Sequence, residues 1–550
     1  MSARVYWRCP GIPTACAARL RSERVACALV SRTHKLAPAR THKLGLERTH
    51  KLGLERGLTA AAILAGGALL RVITGVGFAN YDTLYALTWG GQLARGSTPA
   101  YDPAIAPTPH PLVELLGLVL SPFSPRAIEN ITVALGFLAL AGCGWIVYAL
   151  AAHWFGRAAG VLAAVIFITR VPVLSYGVRA YIDIPYLLLV LSALLLIARN
   201  PHRAGPPLAL LALAGLLRPE AWVFSALYLL YVLELVPAWA RRLAARWQGD
   251  VAASTASADA GEGDRRRPRR EQLGLLALAA SAPAIWLLSD LAITGDILWS
   301  LKNTRHTAHT LDRTTGIANV PEYIPRRLGE ILRPPVLAGG VIGLVLSLWW
   351  LRARALAPAA AGALALIVFA AFATVGLPIN TRYAFGAAAI ACVFAGAGVF
   401  GWSLLAREDP RRRAWIAVAA VLLIALIVYT PASVKSAHRE MTKLARQQSI
   451  QDDLLALVKG HEISLRCGPV GVPNHAPVPL LALYLEASPR EIANLAVQQQ
   501  QRGVYVDPAS KAVESEYVLD RKDPIVSVSV PAGFGEVAAN RSWIIFERCV

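Results

Sequence analysis

The sequence predicts an all-α polytopic membrane protein of about eleven transmembrane helices, followed by a small C-terminal α/β domain. Two observations carry the class. Over 550 residues the chain is 55% hydrophobic and only 16% charged, against roughly a quarter charged in soluble domains. The apolar residues also fall in long blocks rather than in periodic stripes, as spanning helices do. A third observation concerns where the charge lies. The formal net charge is +20, yet the basic residues gather at 1–56, 241–270, 352–354 and 411–413, beside the apolar blocks. That is the placement the positive-inside rule requires, and it argues against a nucleic-acid partner.

Residues 1–56 are basic and poor in apolar residues. They contain a tandem eight-residue repeat starting at Arg32, Arg40 and Arg48, each opening Arg-Thr-His-Lys-Leu. Such a unit is too short for a solenoid, so the segment reads as a disordered cytoplasmic tail. Cys9, Cys16 and Cys27 lie here without metal-ligand spacing.

Spans are expected near 57–79, 127–151, 158–174, 184–199, 205–218, 220–239, 273–293, 334–351, 355–377, 383–405 and 413–431. The stretch at 205–218 is short enough for a re-entrant hairpin. With residues 1–56 inside, the long loop 80–125 lies outside, and each strongly basic short loop returns to the cytoplasm, as does the Arg-rich linker 240–272. The chain then reads as a tail, a transmembrane domain over 57–431 and an extracytoplasmic domain over 432–550. In the last, a polar helix is expected near 436–460, with strands at Val526-Ser-Val-Ser-Val and Ser542-Trp-Ile-Ile-Phe-Glu. Cys467 and Cys549 are its only cysteines and could pair in an oxidising compartment. Asn540-Arg-Ser542 matches a glycosylation acceptor by letter.

Four polar features fall on the expected outer side: Asp82 after the first span, Arg179-Ala-Tyr-Ile-Asp183, the loop 294–333 with Arg305 and His306, and Asn380-Thr-Arg382-Tyr383. Charges at membrane depth are costly and are usually paired, water-exposed or functional. A carboxylate can take a proton from an acceptor hydroxyl. Cations can stabilise a departing phosphate. The bland alternatives are an Asp82 that caps the next helix, an Arg218–Glu220 pair that is structural, loop cations that are only solvated, and a His110 that shapes its loop.

Asp82, His110-Pro111-Leu112, Ile182-Asp183-Ile-Pro185 and Leu217-Arg-Pro-Glu220, in that order, with Arg382-Tyr383 opening a late span, resemble the GT-C superfamily of membrane glycosyltransferases. The likeness is greatest to protein O-mannosyltransferases and lipid A aminoarabinose transferases, and it covers roughly residues 57–405. It implies interfacial helices in the outer loops, a polyprenyl-phosphate-linked sugar donor, transfer with inversion, and a lipid, glycan or protein acceptor. By position it implies Asp82 as catalytic base and Asp183 as a supporting acid that orients the site or holds a divalent metal. Arg179, Arg305, His306, Arg382, Tyr383 and His110 form the set expected to contact phosphate or substrate. Where many relatives show paired acids, Asp82 stands between Tyr81 and Thr83. High Ala, Arg and Leu usage suggests a bacterial source and hence an inner-membrane location, and the basic loops place the N-terminus in the cytoplasm and the C-terminus on the periplasmic or extracellular side. The alternative functions are a lipid-linked glycan ligase or polymerase, for which loop 294–333 would be the key segment, and a lipid or solute transporter.

Overall fold

The computed structural model describes residues 37–201, 203–235, 267–518 and 529–549, with side chains from residue 56 onward. The chain divides into two units, 1–64 and 65–550. Helix α1 (Ala37–Thr74) starts inside the segment expected to be a disordered tail and is continuous into the first apolar block. The linker 240–272 lies mostly outside the described residues, and so does most of the strand expected at 526–530.

Among the described residues, seven helices are long and apolar enough to cross a membrane. About eleven were expected; the described residues show seven, or eight if one bent helix pair counts as a single span, and the reasons for the difference vary by site. Residues 158–174 form two short helices, α5 (Arg157–Ile168) and α6 (Val171–Val178), bent by 65°. Pro172 at the start of α6 removes a helical hydrogen bond. Helices α8 (Gly205–Gly215) and α9 (Glu220–Val232) have 11 and 13 residues, short of the roughly 20 a crossing needs. Helix α7 (Asp183–Arg199) has 17. The remaining long helices are α4 (Pro125–Phe155), α10 (Arg269–Thr294), α12 (Val320–Trp350), α13 (Arg352–Thr374) and α15 (Pro410–Lys459), and α14 (Phe385–Phe400) reaches 24 residues with the 3₁₀ turns that flank it, Thr381–Leu404. In α12 the backbone breaks at Arg333 (φ 64°, ψ 160°) just before Pro334-Pro335, so the apolar half starts where the span was expected.

Between α1 and α4 the chain forms two short helices, α2 (Tyr81–Ala94) and α3 (Pro111–Leu120). They pack backbone to backbone: a side chain at Gly90 would strike the Glu114 carbonyl, and one at Gly117 the Leu87 carbonyl. A third short helix, α11 (Trp299–Thr310), sits against the same loop, with Asn303 Nδ2 donating to Ala106 O at 3.1 Å. These short helices fall in the loops where the resemblance implied interfacial helices.

Helix α15 runs 50 residues without a break, so the boundary placed at 432 falls inside it. Beyond it lies a five-stranded sheet in the order β2-β1-β3-β5-β4. Its strands are β1 (Val470–Val472), β2 (Ile492–Asn494), β3 (Gly503–Pro508), β4 (Gly535–Ala539) and β5 (Trp543–Arg548), the last being the strand expected at 542–547. Strands β1, β2 and β3 are parallel, and β5 runs antiparallel between β3 and β4. Cys467 and Cys549 form a disulfide across 82 residues. Asn540 is occupied in the turn before β5: its Nδ2 donates to Asp453 O at 2.7 Å, and its Oδ1 accepts from Ser542 N and Trp543 N.

The sheet shares a hydrophobic core with the loop helices. Leu84, Trp89 and Val113 pack in one cluster with Leu454, Val470, Val504 and Trp543. Polar contacts reinforce the docking, with Gln92 Nε2 donating to Ser488 Oγ at 3.2 Å and Arg490 paired to Asp102 at 2.7 Å. Helix directions sort the charges. One end of the bundle gathers Asp82, Asp183, Arg218, Glu220 and Arg382, and the other gathers Arg157, Arg199, Arg352 and Arg354.

Candidate active site

Asp82 sits in the first turn of α2, but it does not cap that helix. Asn80 does: its side chain accepts from Asp82 N at 2.8 Å and Thr83 N at 3.3 Å. Asn80 is held in turn by Arg179, whose carbonyl oxygen accepts from Asn80 N at 2.9 Å, and Thr83 Oγ1 donates to Ala180 O at 2.8 Å. The Asp82 carboxylate is therefore left for other work. It accepts from Arg382 Nη1 at 2.8 Å. Arg382 lies in the one-turn 3₁₀ segment Thr381–Ala384 that opens α14.

The same guanidinium lies 3.7 Å from Asp183 Oδ2. Asp183 begins α7 and is only 2% exposed. Its other oxygen is ion-paired to Arg218, which also donates to Glu220 from Nη2 at 2.5 Å and from Nε at 3.1 Å. Arg218 and Glu220 flank Pro219 at the corner between α8 and α9, and both are buried. The Arg218 guanidinium lies over the Tyr383 ring at 4.2 Å and nearer the edge of cation–π range over Tyr186 at 5.5 Å. The result is a chain of alternating charge, Asp82–Arg382–Asp183–Arg218–Glu220, assembled from four separate corners of the fold.

His110 completes the setting. It precedes α3 and is buried, with Nδ1 2.8 Å from Leu217 O. A carbonyl only accepts, so Nδ1 carries the proton. Burial above all pushes the imidazole down to about 4, with the Asp82 charge opposing and Arg218 reinforcing. It is neutral at pH 7 and ties the first loop to the Leu217–Arg218 corner. Burial pushes the Asp82 carboxyl up, but Arg382, with smaller help from His110 and Arg313, leaves it below the ordinary carboxylate value. Asp82 is ionised throughout the physiological range.

Of the residues singled out in the sequence, Asp82, Asp183, Arg382, Tyr383 and His110 converge. Arg179 positions Asn80 through its backbone, while its side chain bonds Ser175 and stacks over Tyr181 at 4.8 Å. Arg305 and His306 are exposed on α11, and Arg305 Nε donates to Val375 O. Arg218 and Glu220 are the members that the sequence reading set aside as structural. Their signal was the Leu-Arg-Pro-Glu corner itself.

A cavity of about 1420 Å³ leads away from this cluster. Asp183, Arg218, Arg382 and Tyr383 line one end, Leu187, Leu191, Phe369 and Ile390 the apolar middle, and Arg199 and Arg354 the far end. Asp183 and Arg199 bound α7, so the cavity runs about 24 Å along the helix at 1.5 Å per residue. That approaches the roughly 30 Å of a bilayer's hydrocarbon core.

The residues do not fit a divalent metal as they stand. Arg382 bonds to Asp82 and lies beside Asp183, and Arg218 takes the other Asp183 oxygen. A cation there would meet two guanidinium groups before a pair of open carboxylates. The one three-ligand group among the described residues is Cys467, Glu547 and Cys549, and its cysteines are bonded to each other.

No protein-family model matches the chain, and no curated protein matches it. Among solved structures it resembles ArnT from Cupriavidus metallidurans bound to undecaprenyl phosphate. The identity is 14% and the TM-score 0.50, over 88% of this chain and 97% of that one. The apo form of the same protein matches at 13% identity and TM-score 0.43, over 90% and 98%. The oligosaccharyltransferase AglB from Archaeoglobus fulgidus, in complex with an inhibitory peptide and a dolichol-phosphate, matches at 14% and 0.41, over 80% and 65%. The first likeness shows the fold alone: the chain shares the architecture of that structure, and its long apolar helices make it a multi-pass membrane protein.

Proposed function

We propose that this protein is a membrane glycosyltransferase. It takes a sugar from a polyprenyl-phosphate donor and transfers it to an acceptor hydroxyl at the periplasmic face of a bacterial inner membrane. The observation that carries the reading is the junction of the charge chain with the cavity. Ionised acids and guanidiniums stand at one end of an apolar channel long enough to hold an isoprenoid tail. A solute transporter would place its polar groups at the bilayer midplane, whereas here they gather at one end of the bundle.

In this reading the donor lies with its tail between α7 and α13 and its phosphate at Arg382 and Arg218. The acceptor oxygen attacks the anomeric carbon from the face opposite the phosphate, and the bond from that carbon to the phosphate oxygen breaks. The electron pair leaves with the polyprenyl phosphate, where Arg382 stabilises the growing charge. Asp82 takes the acceptor proton as it is lost. A strongly ionised carboxylate is a weak base for a free hydroxyl, so proton transfer runs late, once bonding to carbon has acidified that oxygen. Asp183, held by two guanidiniums, positions Arg382 rather than reacting.

The donor class is tested with membranes containing the protein and a panel of radiolabelled polyprenyl-phosphate sugars. Consumption of one donor supports the reading. If correctly inserted protein consumes none, the class is wrong, and lipid-linked oligosaccharides become the substrates of a ligase reading.

A further inference from the structure

The far end of the large cavity is basic, and the chemistry proposed for the acid end leaves it unused. His153, Arg199 and Arg354 line it. They arrive from separate helices: His153 lies in the last turn of α4, Arg199 ends α7, and Arg354 lies in the first turn of α13. The His153 ring bonds to the Ala198 backbone, and the charges of Arg199 and Arg354 both reach it, which places the three groups together. Among the described residues neither arginine is paired to a carboxylate. The described carboxylates on the cavity wall are Asp183 and Glu220, both at the opposite end and both paired to Arg218.

The positive-inside rule asks for cations at this end of the bundle, but it does not ask for them on a cavity wall. Arg157 and Arg352 meet the rule from the exposed surface, off that wall. Arg199 and Arg354 instead border an apolar lining that includes Leu194, Ile197 and Ala357. The polyprenyl tail placed in this channel ends in hydrocarbon, which gains nothing from basic groups. Cations beside an apolar wall are poorly solvated unless an anion joins them. A free anion would leave the apolar lining without a partner, and a neutral lipid would leave the cations without one. A phosphate carried on an alkyl chain satisfies both, and guanidinium groups match phosphate oxygens in charge and geometry.

We infer that the basic end of the cavity holds the phosphate head group of a second lipid, an anionic phospholipid of the leaflet on that side, with a chain in the apolar channel. The inference stands on the cavity and its lining; the transferase reading enters only through the tail.

The test is lipid retention by the delipidated full chain in detergent, read by native mass spectrometry after incubation with phosphatidylglycerol or with diacylglycerol of the same chains. Wild type is expected to keep one phosphatidylglycerol and to hold diacylglycerol roughly tenfold less well, the worth of one charge-assisted hydrogen bond. Arg199→Gln with Arg354→Gln should cut phosphatidylglycerol retention by roughly tenfold. Arg157→Gln with Arg352→Gln removes the same charge at the same end and should change it by less than about twofold. Equal retention of the two lipids by wild type overturns the inference without recourse to any variant. Equal loss in both double variants overturns it too, since attraction to a basic surface would then suffice. Excess inorganic phosphate separates the two sources of the anion. Lipid that stays bound supports the inference, and lipid displaced by free phosphate overturns it in favour of a soluble anion. No sugar donor is present in this assay, so its failure leaves the transferase reading standing, and a failure of donor consumption leaves this site standing.

Discussion

Arg218→Met strips the cation from between two buried carboxylates. Asp183 and Glu220 are 2% and 8% exposed, and both are ion-paired to this guanidinium. Removing one partner of a buried pair costs about 3–5 kcal/mol, because the remaining charge stays desolvated. Here Arg382, 3.7 Å from Asp183, keeps part of the compensation, while the stacking of Arg218 over Tyr383 at 4.2 Å is lost as well. The two adjustments oppose each other, and the expected loss stays within that range. At roughly 2 °C per kcal/mol for a large domain, the apparent melting temperature of detergent-solubilised protein should fall by roughly 6–10 °C. Arg446→Met is the control: it breaks an ion pair whose arginine side chain is 65% exposed, a class worth about 0–1 kcal/mol. Adding Asp183→Asn to Arg218→Met should recover part of the loss, since one stranded charge goes with it. The reasoning is refuted if Arg218→Met and Arg446→Met melt together, or if Asp183→Asn makes the first variant worse by its full single-mutant cost.

Three further outcomes follow from the geometry. Glu114 is held chiefly by burial at about 7 against an ordinary 4.5, so the folded protein keeps a proton there that the unfolded chain has lost. Its contribution is fully present below pH 4.5 and is lost as pH rises to about 7, a change of about 3 kcal/mol. His110, lowered to about 4, pulls the opposite way between pH 4 and 6.5, so the readout is the difference in melting between wild type and Glu114→Gln across that window. A constant difference would sink the assignment. Gly117→Leu forces a side chain into the Leu87 carbonyl and should lower the melting temperature and loosen α2 from α3, seen as faster amide exchange around Leu87, whereas an unchanged exchange pattern would mean the two helices do not approach so closely. Cys467→Ser opens an 82-residue loop and should cost about 2–4 kcal/mol, read as earlier proteolysis of the C-terminal sheet, and equal protease resistance with and without reductant would deny the bond.

The membrane class was legible because apolar blocks and flanking arginines are properties of composition. The order of Asp82, Asp183 and Arg382 was legible too, because each stands at the end of an apolar run where a charge has no local excuse. What the sequence did not carry were the distances across the fold. Nothing near Asp82 in the chain says that Asn80, two residues earlier, takes the capping role and leaves the carboxylate to a residue 300 positions away. Arg218 and Glu220 read as a local pair because they are one, and the ion pair of Arg218 with Asp183 exists only once the starts of α7 and α9 share a corner. Arg305 and His306 looked equivalent to Arg382 by loop position, yet α11 directs them to solvent. The expected span count exceeds that of the described residues where the apolar runs at α8 and α9, of 11 and 13 residues, were each read as a crossing.

The most direct test of Asp82 as the base is sugar transfer by Asp82→Asn beside wild type, using the donor that the panel identifies and protein matched for membrane insertion. Loss of a general base lowers turnover by roughly two to four orders of magnitude. Under the proposed reading the loss falls in kcat, with the donor KM moved by no more than about threefold, since that reading assigns the phosphate to Arg382 and Arg218. Turnover within a factor of about two of wild type would contradict it and move the base elsewhere in the site.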